Sequence, residues 1–305
     1  MSKALVFLGA HNGERFIQAQ LESILQQQTP VDIIVSDDGS TDQTIAVTKG
    51  LQSQGHPVRV VEGPRQGFAS NFLSVFNVDG VDQYELLAWS DQDDIWHPDH
   101  LEFARKKLSN FSGPAFFCCR TRWIDEDGDF VRLSPRLGKQ IRFENAMCQS
   151  LAGGNTFVFN RAAIGWLKNT LSQGSLPNGL SHDWLIYQLF CGAGFDVVFS
   201  TEPRVDYRQH SANILGENRS LGARLRRCSM ILDGSLRSQV DAHLVVLEGL
   251  SDLFLPEPRE MIHDLIRVRR QSWLSRLIRL RVLGLRRESR LETMILSLCF
   301  VIGLY

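Results

Sequence analysis

The chain has 305 residues, enough for one large domain with an appendage or for two modest domains. An apolar content of 43% and a charged content of 22% exclude a disordered protein, and the net charge of −1 does not indicate a nucleic-acid partner. The charge is unevenly spread, because residues 259–305 carry ten arginines against four acidic residues.

Over the first 100 residues, short apolar runs alternate with helical patterns. Predicted strands are Ala4–Leu8, Asp32–Ser36, Val58–Glu62 and Glu85–Trp89, and predicted helices are Arg15–Gln27, Thr44–Gln54 and Ser70–Val78. This order predicts an α/β fold with a mostly parallel central sheet and helices on both faces. Ligands of such sheets bind outside the carboxyl ends of the strands.

Beyond residue 100 the pattern is looser. Predicted helices are His100–Leu108 and Trp184–Cys191, and predicted strands are Ala115–Arg120, Thr156–Asn160, Val197–Ser200 and Val205–Arg208. From Leu221 onward the sequence is helical and rich in arginine. We therefore expect a helical C-terminal extension.

The sequence predicts no conventional single-helix membrane span. It also lacks a close cysteine motif. The N-terminus is typical of a first strand rather than a signal peptide, and no run of 18 apolar residues occurs. The six cysteines form no C-x-x-C pair, which favours buried free thiols in a reducing cytosol.

The first candidate site is the acidic run at Asp91-Gln92-Asp93-Asp94, which follows a predicted strand. Two carboxylates one residue apart on extended chain point the same way and suit Mg²⁺ or Mn²⁺. A solvated acidic turn or a helix cap is the alternative for an isolated D-x-D. The buried strand before it and a second acidic strand end favour the metal, with Asp94 capping the segment that follows.

The second acidic strand end is the segment Asp37-Asp38-Gly39-Ser40-Thr41-Asp42. Turn and capping residues explain its second half, with Thr41 or Asp42 as the cap. Asp37 and Asp38 are left over from that explanation. A carboxylate facing a pocket accepts hydrogen bonds from a pyrimidine N–H or a ribose hydroxyl, which makes both candidates for nucleotide binding.

Several short motifs, in this order, together resemble the family 2 glycosyltransferases of the GT-A fold. More narrowly, they resemble the bacterial rhamnosyltransferase-like branch that builds surface polysaccharides such as O-antigen. The resemblance covers roughly residues 3–215. The motifs are His11-Asn12-Gly13-Glu14, Ser36-Asp37-Asp38-Gly39-Ser40-Thr41-Asp42, Gly63-Pro64, Gly67-Phe68, Asn71-Phe72, Ser90-Asp91-Gln92-Asp93-Asp94-Ile95-Trp96, His182-Asp183-Trp184 and Tyr207-Arg208-Gln209-His210-Ser211-Ala212-Asn213.

The resemblance implies a nucleotide-sugar site in which Asp38 contacts the base. The family often has tyrosine where His11 stands, which keeps a flat ring but changes the stacking. Arg208 either offsets phosphate charge or pairs with Asp206. The predicted donor-binding residues are His11, Asn12, Glu14, Asp37, Asp38, Asn71, Asp91 and Arg208.

The resemblance also implies the metal ligands and the catalytic base. Asp91, Asp93 and His210 would hold Mg²⁺ or Mn²⁺ on the diphosphate, although a structural histidine is the default reading of His210. Asp183 would deprotonate the acceptor hydroxyl, and helix capping is its structural alternative. The family often has glutamate where His182 stands. The acceptor side is predicted to comprise Gly153, Gly154, His182 and Trp184.

The arginine-rich tail leaves two interpretations open. Apolar pairs at 265/266, 273/274 and 277/278 lie on one helical stripe. Such a stripe either packs on the catalytic domain, with arginine on the wet side, or lies in an anionic membrane interface. The lipid-linked acceptor implied by the resemblance favours a chain that is cytoplasmic and peripheral on the inner face of the cytoplasmic membrane.

We therefore predict an inverting, metal-dependent glycosyltransferase of the hexosyltransferase type. The prediction divides the chain into residues 1–215 (1–110 for the nucleotide sugar, 111–215 for the acceptor) and residues 216–305 as a helical extension. The expected donor is dTDP-rhamnose, and the acceptor a hydroxyl of a glycan or lipid-linked glycan. The alternatives are a sugar nucleotidyltransferase, although the loop Gly9–Glu14 lacks its lysine, and a catalytically silent nucleotide-sugar-binding protein.

Overall fold

A computed structural model describes residues 3–137, 141–171, 177–210 and 233–305. They fall into two units. The first contains Met1–Arg136, Ala152–Gly174 and Asp196–His210. The second contains Leu137–Leu151, Ser175–Phe195 and Ser211–Tyr305.

A mixed sheet in the order β3-β2-β1-β4-β8-β6-β9-β5, with β7 paired to β6, forms the first unit. The strands β1 to β4 are mutually parallel, and β6 and β9 are parallel to each other. β8 is antiparallel to both β4 and β6 and joins the two halves. The strands are β1 (Ala4–Ala10), β2 (Val31–Asp37), β3 (Val58–Glu62), β4 (Leu86–Ser90), β5 (Ile95–Trp96), β6 (Ala115–Ile124), β7 (Phe130–Leu133), β8 (Val158–Asn160) and β9 (Asp196–Arg208).

Helices cover both faces of this sheet, as predicted. They are α1 (Ile17–Leu25), α2 (Thr44–Ser53), α3 (Phe68–Leu73), α4 (His100–Leu108) and α6 (Arg161–Leu171). Because strand side chains alternate, Val6 on β1 joins a core cluster with Leu21 of α1 and Leu101 of α4, while Phe7 meets Phe72 of α3 at a centroid distance of 6.4 Å. Burial on both faces explains why β1 is an almost continuous apolar run.

The described residues of the second unit form helices and the segments that connect them, without a strand. Its helices are α5 (Phe143–Ala146), α7 (His182–Ala193), α8 (Ser235–Gly249), α9 (Pro256–Arg269), α10 (Trp273–Leu283) and α11 (Arg290–Ile302). All residues of α7 from Trp184 to Phe190 are buried, so this helix is central to the unit. Contacts within the unit include the ring of Trp184 at 4.4 Å from that of His243.

One predicted pair of strands is wrong in detail. Val197–Ser200 and Val205–Arg208 belong to a single strand, β9. Cys119 of β6 pairs with Ser200, and Thr121 pairs with Val205, so the extra residues of β9 bulge against one residue of β6. The bulge absorbs the interruption at Pro203 and lets pairing continue. The elements β5, β7, α5 and α6 were not predicted.

No helix in the described parts of the chain is long and apolar enough to cross a membrane. Five of the six cysteines lie in these parts and are free thiols: Cys118, Cys119, Cys148, Cys191 and Cys299. Burial raises the pKa of Cys119 and of Cys148 to about 12, so these thiols are unreactive packing groups. Cys228 lies outside the described residues.

Candidate active site

Three carboxylates meet where β4 ends. All five residues of β4 are buried, and the chain becomes acidic directly after Ser90. One oxygen from each of Asp91, Asp93 and Asp94 lies within 4.8 Å of the others. Hard oxygen ligands at this spacing suit a divalent cation.

Asp94 differs from the other two because it is fully buried. Its carboxylate accepts hydrogen bonds from Asn155 Nδ2 and from the backbone N–H of Arg208 (3.2 Å). Burial, followed by the negative charges of Asp93 and Asp91, raises its pKa well above the ordinary value. The expectation that Asp94 caps the following segment is wrong, because its oxygens join the end of β4 to two distant segments.

The glycine segment before β8 is built around the same contact. Gly154–Thr156 forms a single 3₁₀ turn. A Cβ on Gly153 would lie 2.4 Å from Asn155 Oδ1, closer than packed atoms approach. Glycine at 153 therefore leaves room for the side chain that binds Asp94. This is a structural reason for Gly153 beside its predicted acceptor role.

His210 lies beside Asp93, immediately after β9. Its Nε2 is 2.7 Å from Asp93 Oδ2, and the two side chains are only 10% and 17% exposed. The imidazole ring packs against the ring of Phe16 at a centroid distance of 5.0 Å. Two of the three predicted metal ligands are thus in direct contact, although they are 117 residues apart in the chain.

Arg208 is buried against backbone carbonyls. Its guanidinium donates to the oxygens of Asp93 (3.1 Å), Asp125 (3.2 Å) and Glu126 (2.8 Å). Asp206, the other candidate partner, contacts His97 (2.8 Å) and Arg122 (3.2 Å). The positive charge of Arg208 therefore lies directly behind the acidic cluster.

The two aspartates after β2 have different surroundings. Asp37 is 5% exposed; its Oδ2 accepts from the N–H of Gly39 (3.2 Å) and Ser40 (3.0 Å). Its Oδ1 has no hydrogen-bond partner among the described residues. The Asp38 carboxylate accepts from the N–H of Arg65 (2.6 Å) and Gly67 (2.9 Å). Asp38 therefore shapes the loop after β3.

An open hollow of about 500 Å³ lies beside this turn. Asp37, Ser40, Thr41, Lys49, Glu62 and Arg65 contribute to its wall. The wall thus combines a buried carboxylate with two cationic side chains. A polar ring bearing both donors and acceptors matches such a wall better than an apolar ligand does.

The segment after β1 is held to the turn after β2 by side chains. Asn12 has a positive φ of 49°, its N–H donates to Ser40 Oγ (2.9 Å), and its Oδ1 accepts from the N–H of Thr41 (2.8 Å). Glu14 accepts from the N–H of Gln43 (2.9 Å). Asn12 and Glu14 therefore hold the two loops in one arrangement, and the side chain of His11 is left exposed.

Gln92 is a residue that the sequence argument missed. Its Oε1 accepts from the N–H of His11 (2.8 Å), and its Nε2 donates to the carbonyl of His11 (3.0 Å). A Cβ on Gly13 would lie 2.3 Å from Gln92 Oε1, so Gly13 leaves room for this amide. The alternation of side chains was the available signal, because it directs Gln92 away from Asp91 and Asp93.

Asn71 is buried behind the same loops. Its Nδ2 donates to the carbonyl of Ser36 (2.9 Å), and its Oδ1 accepts from Ser36 Oγ (2.5 Å). A Cβ on Gly63 would lie 2.9 Å from Asn71 Oδ1. Asn71 therefore supports the end of β2, and its predicted contact with a donor would have to be made from a 2% exposed side chain.

The predicted base, Asp183, lies in the first turn of α7 in the second unit. Its Oδ1 accepts from Ser181 Oγ and from the N–H of Trp184 (2.8 Å), and its Oδ2 accepts from Ser150 Oγ (3.0 Å). Both carboxylate oxygens are thus oriented. The N-terminal end of a helix also stabilises negative charge.

The neighbours of Asp183 are buried. Burial lowers the pKa of His182 to about 4, so its imidazole is neutral at pH 7. Trp184 donates from Nε1 to the carbonyl of Ala146 (2.5 Å). His243 Nδ1 is 2.7 Å from Gln188 Oε1, and burial lowers its pKa to about 4. His182 and Trp184 are therefore packed in the interior, and they hold Asp183, which lies between them in the chain, in place.

Comparisons with known proteins identify the family of the chain. Residues 6–165 match glycosyl transferase family 2. Over 239 residues the chain is 25% identical to dTDP-rhamnosyl transferase RfbG of Shigella flexneri, which covers 76% of this chain and 82% of that protein.

Two solved structures are similar in fold. S. aureus TarS 1–349 in complex with UDP has a TM-score of 0.54 and 14% identity, covering 85% of this chain and 69% of that one. Mannosyltransferase PcManGT from Pyrobaculum calidifontis, in complex with GDP-Man and Mn²⁺, has a TM-score of 0.50 and 16% identity, covering 99% and 86%. The family match and these structures confirm the predicted resemblance and the GT-A fold.

Proposed function

Because the chain belongs to glycosyl transferase family 2, it is a glycosyltransferase that uses a nucleotide-sugar donor, and we propose that it transfers the sugar with inversion to a hydroxyl of a glycan or lipid-linked glycan. The observation that carries this proposal is the group of Asp91, Asp93 and Asp94 carboxylates, within 4.8 Å of one another at the end of β4. The departing diphosphate gains negative charge, and a divalent cation held at such a strand end would offset that charge.

The residues at this site fit a divalent cation. Asp91 and Asp93 offer hard oxygen ligands, and the contact of 2.7 Å between His210 and Asp93 puts an imidazole nitrogen beside them. Asp94 is engaged by Asn155 and Arg208, so we assign it to positioning rather than ligation. When bound, Mg²⁺ or Mn²⁺ would neutralise the diphosphate and stabilise its departure. PcManGT is described with Mn²⁺, which supports the same chemistry here.

We assign the nucleoside to the loops after β1, β2 and β3. The exposed ring of His11 is available to a base or ribose, and Asp37 lines the hollow beside these loops. Asp38, Asn12, Glu14 and Asn71 are already engaged in hydrogen bonds between these loops, so their proposed part in donor binding is to fix the shape of the site.

Asp183 is the proposed general base. The bonds from Ser150 and Ser181 hold its carboxylate in one orientation, as a base must be held to meet an acceptor hydroxyl. Proton removal by a positioned carboxylate contributes about 10²–10⁴-fold to rate. Direct displacement needs this one base and no protein nucleophile, so we propose inversion. Gly153, Gly154, His182 and Trp184 stay assigned to the acceptor side.

Rhamnose from dTDP-rhamnose is the donor we propose. The 25% identity to RfbG of Shigella flexneri, which extends over 76% of this chain, supports it. The proposed partners also include an anionic membrane surface, with the chain at the cytoplasmic face. We further propose that residues 1–215 form the catalytic domain and residues 216–305 an extension to it.

A panel of nucleotide sugars tests the donor. Hydrolysis of dTDP-rhamnose, dTDP-glucose, UDP-glucose and GDP-mannose would be measured with and without Mn²⁺, together with the thermal shift that each donor causes. We expect the largest responses from dTDP-rhamnose with metal present. A clear preference for a UDP-hexose would overturn the rhamnose assignment.

The variant Asp183→Asn tests the mechanism. We expect transfer to fall about 10²–10⁴-fold while the thermal shift with donor and Mn²⁺ is retained, because the change removes a base and keeps the shape. Asp252→Asn is the matched control, since it makes the same change at an exposed position of the same unit. Transfer by Asp183→Asn at the wild-type rate would contradict the mechanism.

A further inference from the structure

Helix α10 exposes its apolar side. Trp273, Leu274, Leu277, Ile278 and Val282 recur at helical spacing, and their exposed fractions run from 46% to 67%. The less exposed side of the helix carries Ser275, Arg276, Leu280 and Leu283. Arg276, on that side, donates to the carbonyls of Gln271 (3.2 Å) and Phe300 (3.5 Å). An amphipathic helix of a water-soluble unit has the opposite orientation.

Helix α11 repeats the arrangement next to it. Leu291, Met294, Ile295, Leu298 and Ile302 lie at successive spacings of three, one, three and four residues, with exposed fractions from 47% to 69%. The two helices are in contact. We call these ten residues of α10 and α11 the apolar surface. Isolated exposed apolar residues are ordinary, but ten on adjoining helices mark an interaction site.

The charge around the apolar surface is positive. Residues 273–302 contain six arginines and two glutamates, a formal charge of +4. Arg281, Arg286 and Arg290 are exposed, and within the described parts of the chain they have no ion pair with a carboxylate. An arginine stem lies along apolar surface while its head reaches an anion, which is how this residue behaves at a lipid interface.

We propose that the apolar surface binds the headgroup and upper acyl region of a bilayer containing anionic lipid, with α10 and α11 lying in the plane of the membrane. The apolar side chains enter the lipid by roughly 5–10 Å, and the three arginines meet lipid phosphates. This inference rests on the membrane partner of the proposed function and not on the transfer chemistry. It names the surface that would bring the chain to a lipid-linked acceptor.

Lipid fits better than a second copy of the chain. A two-fold contact would join two surfaces of the same positive charge, and like charges oppose such a contact. Anionic lipid supplies the counter-charge that the described residues do not.

The experiment measures co-sedimentation of the full chain, without substrates, with vesicles of phosphatidylcholine alone or with about one third phosphatidylglycerol. We expect binding to the anionic vesicles, weakened by salt. Ile278→Asp should lower the partition coefficient about tenfold or more. The change removes an apolar side chain that would be buried in the lipid and adds a charge that anionic lipid repels. Val245→Asp is the control, since Val245 on α8 of the same unit is 62% exposed against 63% for Ile278.

The arginines are tested separately. Arg281→Gln, Arg286→Gln and Arg290→Gln should each lower binding to anionic vesicles about fivefold and leave binding to neutral vesicles unchanged. Arg59→Gln, at an exposed position of the first unit, should change neither.

Three results would overturn the proposal. One is no binding to anionic vesicles by the wild type. Another is an equal loss in Val245→Asp and Ile278→Asp. The third is a wild-type dimer in light scattering that Ile278→Asp dissociates, which would assign the surface to a second copy. Asp183→Asn should still bind vesicles, so failure of the catalytic proposal is distinguishable from failure of this one.

Discussion

The end of β4 and the helices α10 and α11 depart from ordinary burial in opposite directions. At β4 a carboxylate, Asp94, is fully buried among polar partners. On α10 a tryptophan, Trp273, is 62% exposed. Burial of a charged group and exposure of large apolar groups both raise the free energy of the folded chain unless something compensates.

The two regions differ in what compensates. After β4, the carboxylate of Asp94 has Asn155 and the backbone of Arg208 as partners, and that of Asp93 has His210. All of these partners lie within the first unit. The ten side chains of the apolar surface on α10 and α11 are exposed to solvent. The first region is therefore held in one arrangement by partners in its own unit, whereas we propose that an extended surface completes the second.

Substitution of Asp93 tests the acidic cluster at the end of β4. Asp93→Asn removes a proposed ligand of the cation and the anionic partner of His210, and we expect transfer to fall about 10²–10³-fold at saturating Mn²⁺. Initial rates over a Mn²⁺ titration measure it. Asp79→Asn, at an exposed position of the same unit, serves as the control. Unchanged rates in both variants would show that the acidic cluster at the end of β4 has a structural role and no part in transfer.

Acid should lower the free energy of unfolding, because a buried histidine binds a proton less readily in the folded chain than in the unfolded one. Burial lowers the pKa of His100 to about 3, below the unfolded value of about 6.5, so the unfolded chain binds the additional proton. This contribution is complete above pH 6.5 and is lost as the pH falls towards 3. From pH 7 to pH 5 it amounts to about 2 kcal/mol of the free energy of unfolding.

His100→Phe tests that value, because phenylalanine keeps a ring against Trp96, whose centroid is 4.6 Å away. Denaturant unfolding of the wild type and the variant at pH 7 and pH 5 gives the two pH dependences. The variant should lose about 2 kcal/mol less between these pH values, whatever its absolute stability. Equal pH dependences would mean that His100 does not contribute.

The partner of Asp94 should matter for stability as well as rate. Asn155→Ala leaves a buried carboxyl without one hydrogen bond and should lower the free energy of unfolding by about 1–3 kcal/mol. Urea unfolding measures this, with Asn77→Ala as an exposed control expected to change stability by less than about 0.5 kcal/mol. A loss as small as that of the control would show that Asp94 does not depend on this bond.

The smallest expected effect is at Gln92. Gln92→Ala removes both bonds to the backbone of His11 and should raise KM for the donor about tenfold with little change in kcat, because the loop after β1 is less ordered before binding. Gln92→Glu keeps the acceptor and loses the donor, so its KM should lie between those of the wild type and Gln92→Ala. A fall in kcat alone would place Gln92 in the chemical step instead.

The sequence by itself determined the α/β order, the strand ends that carry acidic residues and the helical C-terminus. Apolar periodicity and strand polarity are local properties, and they are sufficient to bring the ends of β2 and β4 to one edge of the sheet. The D-x-D motif could be recognised for the same reason, because the spacing of two aspartates is also a local property of the sequence.

The contacts between side chains far apart in the chain could be known only from the tertiary structure. It separated Asp94, bonded to Asn155 and Arg208, from the two half-buried carboxylates, and it joined Gln92 to His11 across 81 residues. It merged two predicted strands into β9 through a bulge opposite β6. It also turned the apolar stripe of α10 outward, which periodicity cannot predict, because a stripe specifies that one side of a helix is apolar but not what that side will contact.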